Sequence, residues 1–133
     1  VSTHDLPTAA GYLTGEHVSV RARLGQLTRP VAEEQADADA DRARLVALLR
    51  DHGYVGADPS LDELILGLHK LLAATPSTLV AVSPYDAVGE TRQPNLPGTM
   101  DEYPNWRIPL PVSVEDLFDH ERVRAIVDIL KAR

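Results

Sequence analysis

Residues 60–88 read SLDELILGLHKLLAATPSTLVAVSPYDAV and carry the clearest structural signals in the sequence. Ser60 and Glu63 have the spacing of a capping box, and the leucines that follow fall on one face of a helix that ends before Thr75. The run TLVAV at residues 78–82 has no polar alternation, which is typical of a strand covered on both faces of a parallel sheet. A helix followed by a buried strand indicates an α/β fold.

Upstream of this stretch, residues 15–50 are charged and alanine-rich. Gly25 and Pro30 interrupt the helical spacing, so the sequence predicts two helices here. The second starts at Pro30, has acidic residues early and basic residues late, as the helix dipole favours, and stops at His52-Gly53.

Downstream of the predicted strand, Ser83 and Pro84 predict a short helical turn. Residues 89–112 then lose regular periodicity while containing the only Trp and the only Met. Irregular segments longer than about 12–15 residues are uncommon inside compact domains, so this segment is predicted to be a functional loop. Helical spacing returns from Ser113, the predicted N-cap, to Arg133.

Length and composition narrow the class of protein. The 133 residues fit one domain or part of one, and 44% hydrophobic residues are too many for a disordered chain. The formal net charge of -7 has the wrong sign for nucleic acid, and no apolar run approaches the roughly 18 residues of a membrane span. The absence of cysteine excludes disulfides and fits a reducing cytoplasm.

The first residues of the chain suggest that it is a piece of a longer protein. It begins at Val1 without a Met, and residues 1–3 read as the tail of a second strand. Two short strands do not make a sheet that is covered on both faces, so the missing strands are expected upstream. The order of elements is that of the last βα units of a (β/α)8 barrel, in which functional residues follow the C-terminal ends of the strands.

His4-Asp5 occupies such a position, directly after a predicted strand. A carboxylate there can bind sugar hydroxyls or face the positive charge of an oxocarbenium-like transition state, and the neighbouring His can donate a hydrogen bond to the same sugar. Asp is also a common helix N-cap, so Asp5 can equally be read as the cap of the next helix.

The long loop contains two further candidates. Asn95 lies in NLPGT, where a rigid proline and a permissive glycine present polar groups to a ligand. Trp106 lies in YPNWR and is interpreted either as part of a sugar-stacking platform or as a plug that packs the loop onto the barrel wall. Asp86 and Glu90 are the nearby carboxylates that could pair with Asp5, although a solvated loop position is expected for both.

The remaining histidines do not form a metal site. They lack partners at the i, i+3 or i, i+4 spacing that a helical zinc site requires: His17, His52, His69 and His120. His69 is predicted to lie at the boundary of the apolar stripe of its helix. No metal is expected, and the sequence also lacks a glycine-rich phosphate loop and a nucleophilic serine elbow.

Taken together, these segments resemble the C-terminal part of the amylomaltases, the 4-alpha-glucanotransferases or disproportionating enzymes of glycoside hydrolase family 77. The matching stretches agree in order and spacing along nearly the whole chain: STHDLPT at 2–8 with Gly11-Tyr12, LHK at 68–70 through ATPS at 74–77, DAVGE at 86–90, NLPGT at 95–99 and YPNWR at 103–107. NLPGT and YPNWR, at the separation they have here, are the stretches most specific for the family. The sequence departs from many members at Ile108-Pro109, where those carry basic residues.

The resemblance implies a (β/α)8 TIM-barrel enzyme of maltodextrin and glycogen metabolism in the cytoplasm. Such an enzyme cuts an α-1,4-glucan, keeps the donor piece as a covalent glycosyl-enzyme and transfers it with retention, without a cofactor. Asp5 would be the catalytic carboxylate that stabilises the transition state, and His4, Asn95 and Trp106 would bind the maltooligosaccharide.

The same resemblance places the nucleophile and the acid/base after earlier strands of the barrel. Residues 1–133 would then be an incomplete, inactive C-terminal portion of the catalytic domain, with 89–112 as its substrate-side loop. Such a piece is expected to be mainly helical, with one or two short strands, and to self-associate through exposed core surface.

The alternative is a freestanding helical module without catalysis. It would bind a carbohydrate or a protein through the loop from Gly89 to Arg107, and His4-Asp5 would be only a helix cap. A complete core of its own would favour this module, whereas exposed apolar faces would favour the barrel portion.

Overall fold

The computed structural model describes residues 1–133 and consists of helices and loops without a strand. The helices in chain order are α1 Ala9–Leu13, α2 Glu16–Arg23, α3 Val31–Asp51, α4 Leu61–Ala73, α5 Pro84–Val88 and α6 Glu121–Lys131. One 3-10 turn, Leu117–Asp119, precedes α6. None of the helices combines the length and apolarity needed to cross a bilayer. The predominantly helical character predicted from the sequence is confirmed.

The prediction of strands at residues 1–3 and 78–82 is wrong for this chain. Residues 76–82 make no backbone–backbone hydrogen bond, and Leu79 is 89% exposed. An extended apolar segment becomes a strand only when a neighbouring segment accepts and donates its backbone hydrogen bonds. Residues 1–133 supply no such neighbour, so the apolar pattern remains without a sheet.

The two longest helices follow the local signals of the sequence. Ser60 Oγ accepts from the Glu63 amide at 3.2 Å, and the Glu63 carboxylate accepts from the Ser60 amide at 2.7 Å, which completes the predicted capping box of α4. Helix α3 begins after Pro30 and ends at Asp51, where Gly53 follows with a φ of 70°. Helix α4 packs against α1, α3 and α6 and is therefore the central element of the molecule.

Three clusters of buried side chains make up the core. The first joins α1, α3 and α4, the second attaches the long loop to α2, and the third joins α5 to α6. Their buried members are, in that order, Ala9, Ala10, Leu13, Leu49, Leu64, Ile65 and Leu68; Val20, Leu96, Tyr103 and Ile108; and Ala87, Val88, Val123 and Ile126. The long loop is thus packed against the helices, although it has no regular structure of its own.

The last helix starts later than predicted. Ser113 Oγ accepts from the Asp116 amide at 3.2 Å, but this caps a single turn. The backbone at His120 is extended, with φ -65° and ψ 126°, so the turn cannot continue into α6. His120 is the residue that precedes the first helical turn, and α6 spans Glu121–Lys131.

Candidate functional site

Four side chains singled out in the sequence lie together on the surface. Asn95 Nδ2 donates to Asp5 Oδ1 at 2.7 Å, across 90 positions of sequence. His4 Nε2 lies 3.3 Å from the other carboxylate oxygen of Asp5. The rings of His4 and Trp106 are 5.1 Å apart between centroids and tilted by 43°. The fold therefore joins the start of the chain to the long loop at one cluster, hereafter the Asp5 cluster.

The Asp5 cluster is open to a ligand. The side chains of His4 and Asp5 are 56% and 50% exposed, and Trp106 is 66% exposed. A carboxylate accepts about four hydrogen bonds, so Asp5 retains acceptor capacity beyond its contacts with Asn95 and His4. Exposed aromatic rings beside a carboxylate and an amide suit a polyhydroxylated ligand, which presents hydroxyl groups and an apolar ring face.

The backbone fixes Asn95 and Trp106 relative to His4. The Asn95 amide donates to the His4 carbonyl at 3.2 Å, and the Trp106 amide donates to the Pro94 carbonyl at 2.8 Å. Trp106 has a φ of 60°, the only left-handed backbone at a residue other than glycine in this chain. A bulky residue seldom adopts this conformation, so the surrounding hydrogen bonds hold Trp106 there against its local preference.

The side chain of Asn105 links the loop motifs NLPGT and YPNWR through hydrogen bonds. Its Oδ1 accepts from the Leu96 amide at 2.8 Å, and its Nδ2 donates to Thr99 Oγ1 at 2.8 Å. Between these contacts the chain reverses through Gly98, which has a φ of 81°. The motifs NLPGT and YPNWR consequently form one structural unit.

Tyr103 and Ile108 anchor that unit, being 7% and 5% exposed. Tyr103 also donates from its hydroxyl to the Gln93 carbonyl at 2.8 Å. Trp106 itself is exposed within residues 1–133, and its interpretation as a plug against the barrel wall stays a prediction.

Thr8, and not Asp5, caps the first helix. Thr8 Oγ1 accepts from the Gly11 amide at 3.0 Å and donates to the Glu90 carbonyl at 2.5 Å. A side chain at Gly11 would place its Cβ 2.3 Å from the Thr91 carbonyl oxygen, so α1 lies directly on the beginning of the loop. The reading of Asp5 as a helix cap is wrong, since its carboxylate contacts the loop.

The two neighbouring carboxylates are buried, contrary to the expected solvated positions. Asp86 is 0% exposed, and Glu90 is 8% exposed. Both oxygens of Glu90 accept from the Arg92 guanidinium, at 2.9 and 2.6 Å, and these hydrogen bonds lower the pKa of Glu90. Asp86 bonds to Ser2 and Ala9. Burial is tolerated because both side chains are hydrogen-bonded, and their observed partners also differ from Asp5, the partner that the less favoured reading gave them.

His69 is also buried, and its predicted boundary position is wrong. Its exposure is 0%, because α4 is covered on several sides. His69 Nδ1 lies 2.8 Å from the Ile65 carbonyl oxygen, whereas the buried Nε2 has no hydrogen-bond partner. Burial lowers the pKa of His69. No group of three or more His, Asp or Glu side chains is arranged to hold a metal ion.

Comparison with known proteins places these features in a family. The sequence profile of the family described as 4-alpha-glucanotransferase matches residues 1–114. A 4-alpha-glucanotransferase of Mycobacterium tuberculosis is 47% identical over 140 residues, which cover 99% of this chain and 19% of that protein. A 4-alpha-glucanotransferase of Haemophilus influenzae is 25% identical over 133 residues, which cover 93% of this chain and 19% of that protein.

A solved structure agrees with these relatives. The crystal structure of amylomaltase from Corynebacterium glutamicum superposes with a TM-score of 0.90 at 37% identity, covering 98% of this chain and 21% of that one. The chain thus spans about a fifth of the length of the proteins that it matches. The profile covers most of the chain, and the chain belongs to the 4-alpha-glucanotransferase family, glycoside hydrolase family 77.

Proposed function

We propose that residues 1–133 form the C-terminal part of the (β/α)8 catalytic domain of a cytoplasmic 4-alpha-glucanotransferase. The whole enzyme would transfer α-1,4-glucan segments between maltodextrins with retention of configuration, in maltodextrin and glycogen metabolism. The observation that carries this proposal is the Asp5 cluster in a member of this family: an exposed carboxylate bonded to Asn95 beside the rings of His4 and Trp106.

Each member of the cluster would have a distinct role toward the glucan. Asp5 would face the positive charge that develops on the sugar in the cleaved subsite, where a fixed carboxylate stabilises an oxocarbenium-like transition state. Asn95 orients Asp5 through the 2.7 Å hydrogen bond. His4 would donate to a sugar hydroxyl, and Trp106 would stack on a sugar ring. Residues 89–112 would form the substrate side of the cleft around them.

The proposed chemistry requires groups outside this cluster. Retaining glycoside chemistry uses a nucleophilic carboxylate and an acid/base carboxylate roughly 5–5.5 Å apart, and Asp5 is the single carboxylate among these four residues. The family resemblance places both of these carboxylates after earlier strands of the barrel, so residues 1–133 alone are expected to be inactive. The apolar run at 78–82, in which Leu79 is 89% exposed, supports the same proposal, because a barrel strand needs neighbours on both sides. Without them, this surface would lead the chain to self-associate.

The test is the substitution Asp5→Asn in the full-length enzyme. Removing one preorganised charge from a transition state costs about 100- to 1,000-fold in kcat, and we expect at least that loss in the disproportionation of maltotriose. The thermal midpoint should change little, because Asp5 is half exposed.

Asp101→Asn is the matched control, because Asp101 is an exposed carboxylate of the same loop outside the Asp5 cluster. It should leave turnover unchanged. Near-normal turnover of Asp5→Asn would refute the proposed role.

A further inference from the structure

The carboxylate of Asp86, at the start of α5, is completely buried and does not belong to the Asp5 cluster. We propose that Asp86 is a positioning residue that holds residues 2–9 in the conformation that presents Asp5. This inference rests on the proposed function, because it matters for turnover only if Asp5 acts in the reaction.

The hydrogen bonds of Asp86 reach both ends of the segment that carries Asp5. Its Oδ2 accepts from the Ser2 amide at 2.9 Å, and its Oδ1 accepts from the Ala9 amide at 2.7 Å. The Ser2 hydroxyl adds contacts of 2.8 and 2.9 Å to the two oxygens. The Val1 amino group also lies 3.7 Å from Oδ2. One buried carboxylate thus fixes two points that are seven residues apart.

The segment between these points has little structure of its own. Its only internal backbone hydrogen bond joins the Leu6 amide to the Thr3 carbonyl at 3.1 Å. Asp5 lies in the middle and is half exposed. Besides the contacts of His4 and Asp5 with Asn95 and the hydrogen bond from Thr8 to the Glu90 carbonyl, the position of Asp5 depends on where Ser2 and Ala9 are held. Reacting groups need this kind of fixation, since a displacement of about 1 Å can cost about 100-fold in rate.

Two acceptor oxygens are essential for this arrangement. A carboxylate offers an acceptor to each backbone amide, whereas a carboxamide of the same shape has one acceptor and one donor group. In Asp86→Asn, one of the amides of Ser2 and Ala9 would face an NH2 group and lose its partner. The substitution therefore releases one end of the segment while preserving the volume of the side chain.

The experiment compares Asp86→Asn with the unchanged full-length enzyme, well below the unfolding temperature. We expect kcat to fall about 100-fold, because a displacement of Asp5 by about 1 Å would weaken its contact with the transition state. KM should stay within a few-fold. Hydrogen exchange of the peptide covering residues 2–9 should become faster, with exchange in α3 unchanged. A role in stability alone would lower the thermal midpoint and leave the kcat of the folded enzyme intact.

Leu49→Ala is the stability control, because it opens a cavity where α3 packs and should lower the midpoint without lowering kcat. Ser2→Ala is the milder variant, should Asp86→Asn fail to fold. It removes only the hydroxyl contacts, so a few-fold loss of kcat is expected, and an unchanged kcat would overturn the inference.

Asp5→Asn separates the two proposals. If it abolishes turnover while Asp86→Asn keeps normal kcat and normal exchange at residues 2–9, the inference fails and the proposed function stands. If Asp5→Asn itself turns over normally, the proposed function fails and the inference fails with it.

Discussion

Residues 2–8 and residues 76–83 are comparable segments that differ in how firmly the rest of the chain holds them. Each is irregular, each leads into a helix of five residues, and each includes a stretch that the sequence predicts as strand. The first is held by hydrogen bonds to Asp86, Glu90 and Asn95. In the second, the Ser77 carbonyl accepts from the Arg133 guanidinium, but residues 78–82 make no hydrogen bond, and Leu79 is 89% exposed.

The difference shows which kind of interaction this chain can satisfy by itself. Hydrogen bonds are directional, and a few well-placed acceptors suffice to fix the polar segment. An apolar run is stabilised in proportion to the area covered, so it needs whole neighbouring segments. The Asp5 cluster is therefore organised by residues 1–133, whereas residues 78–82 depend on a covering surface.

The largest expected change in the free energy of unfolding comes from placing a charge within residues 78–82. In the full-length protein of the proposed function, Leu79→Asp should cost about 3 kcal/mol or more, because it removes apolar burial and buries a carboxylate. In the 133-residue chain the same substitution should stay within about 0.5 kcal/mol, since Leu79 is 89% exposed. Urea denaturation of both proteins measures the difference, and an equally small loss in both would contradict the comparison.

A smaller effect distinguishes the helix caps at the ends of the two segments. Thr8→Ala removes the helix cap at the Gly11 amide, at 3.0 Å, and the buried hydrogen bond to the Glu90 carbonyl, at 2.5 Å. It should lower the free energy of unfolding by about 2 kcal/mol. Ser83 precedes α5 but makes no capping hydrogen bond from its side chain, so Ser83→Ala should cost less than about 0.5 kcal/mol. Equal losses for the two variants in denaturant titrations would show that the segments are held alike.

The smallest effect is a pH dependence that originates beside the anchored segment. Burial lowers the pKa of His69 below its ordinary 6.5, and the charge of Asp86 opposes this only in part. Near pH 6.5 the unfolded chain therefore binds a proton at His69 more readily than the folded chain does. The contribution of His69 to the free energy of unfolding is complete above pH 6.5 and is lost as the pH falls below it.

The measurement is the urea midpoint of the 133-residue chain at pH 7.5 and 5.5. The fall in stability toward pH 5.5 should be smaller in His69→Leu, which has no proton to take up. A fall of the same size in both proteins would assign the pH dependence to other groups.

Local signals predicted the helices well. The capping box at Ser60 and Glu63 and the proline ahead of α3 depend only on residues within one turn, so they can be recognised without the fold. Helix α1 was missed because five residues are too few for a periodic pattern. Its cap was nevertheless visible as Thr8, a good N-cap residue directly before an apolar stretch.

The site was only partly accessible from the sequence. His4, Asp5, Asn95 and Trp106 were selected individually, but their proximity depends on a contact across 90 positions that no local pattern encodes. The burial of Asp86 was missed for the same reason, because its partners lie 84 and 77 positions away. The strand prediction at 78–82 was wrong because it assumed backbone partners that residues 1–133 lack.

Gly11 allows α1 to lie directly against the start of the loop because it has no Cβ. A Cβ there would overlap the Thr91 carbonyl oxygen, which lies only 2.3 Å away, and backbone cannot move aside as a flexible side chain can. Any other residue would wedge α1 off the loop and draw the Thr8 hydroxyl away from Glu90. The closeness of α1 to the start of the loop is thus set by the smallest residue in the chain.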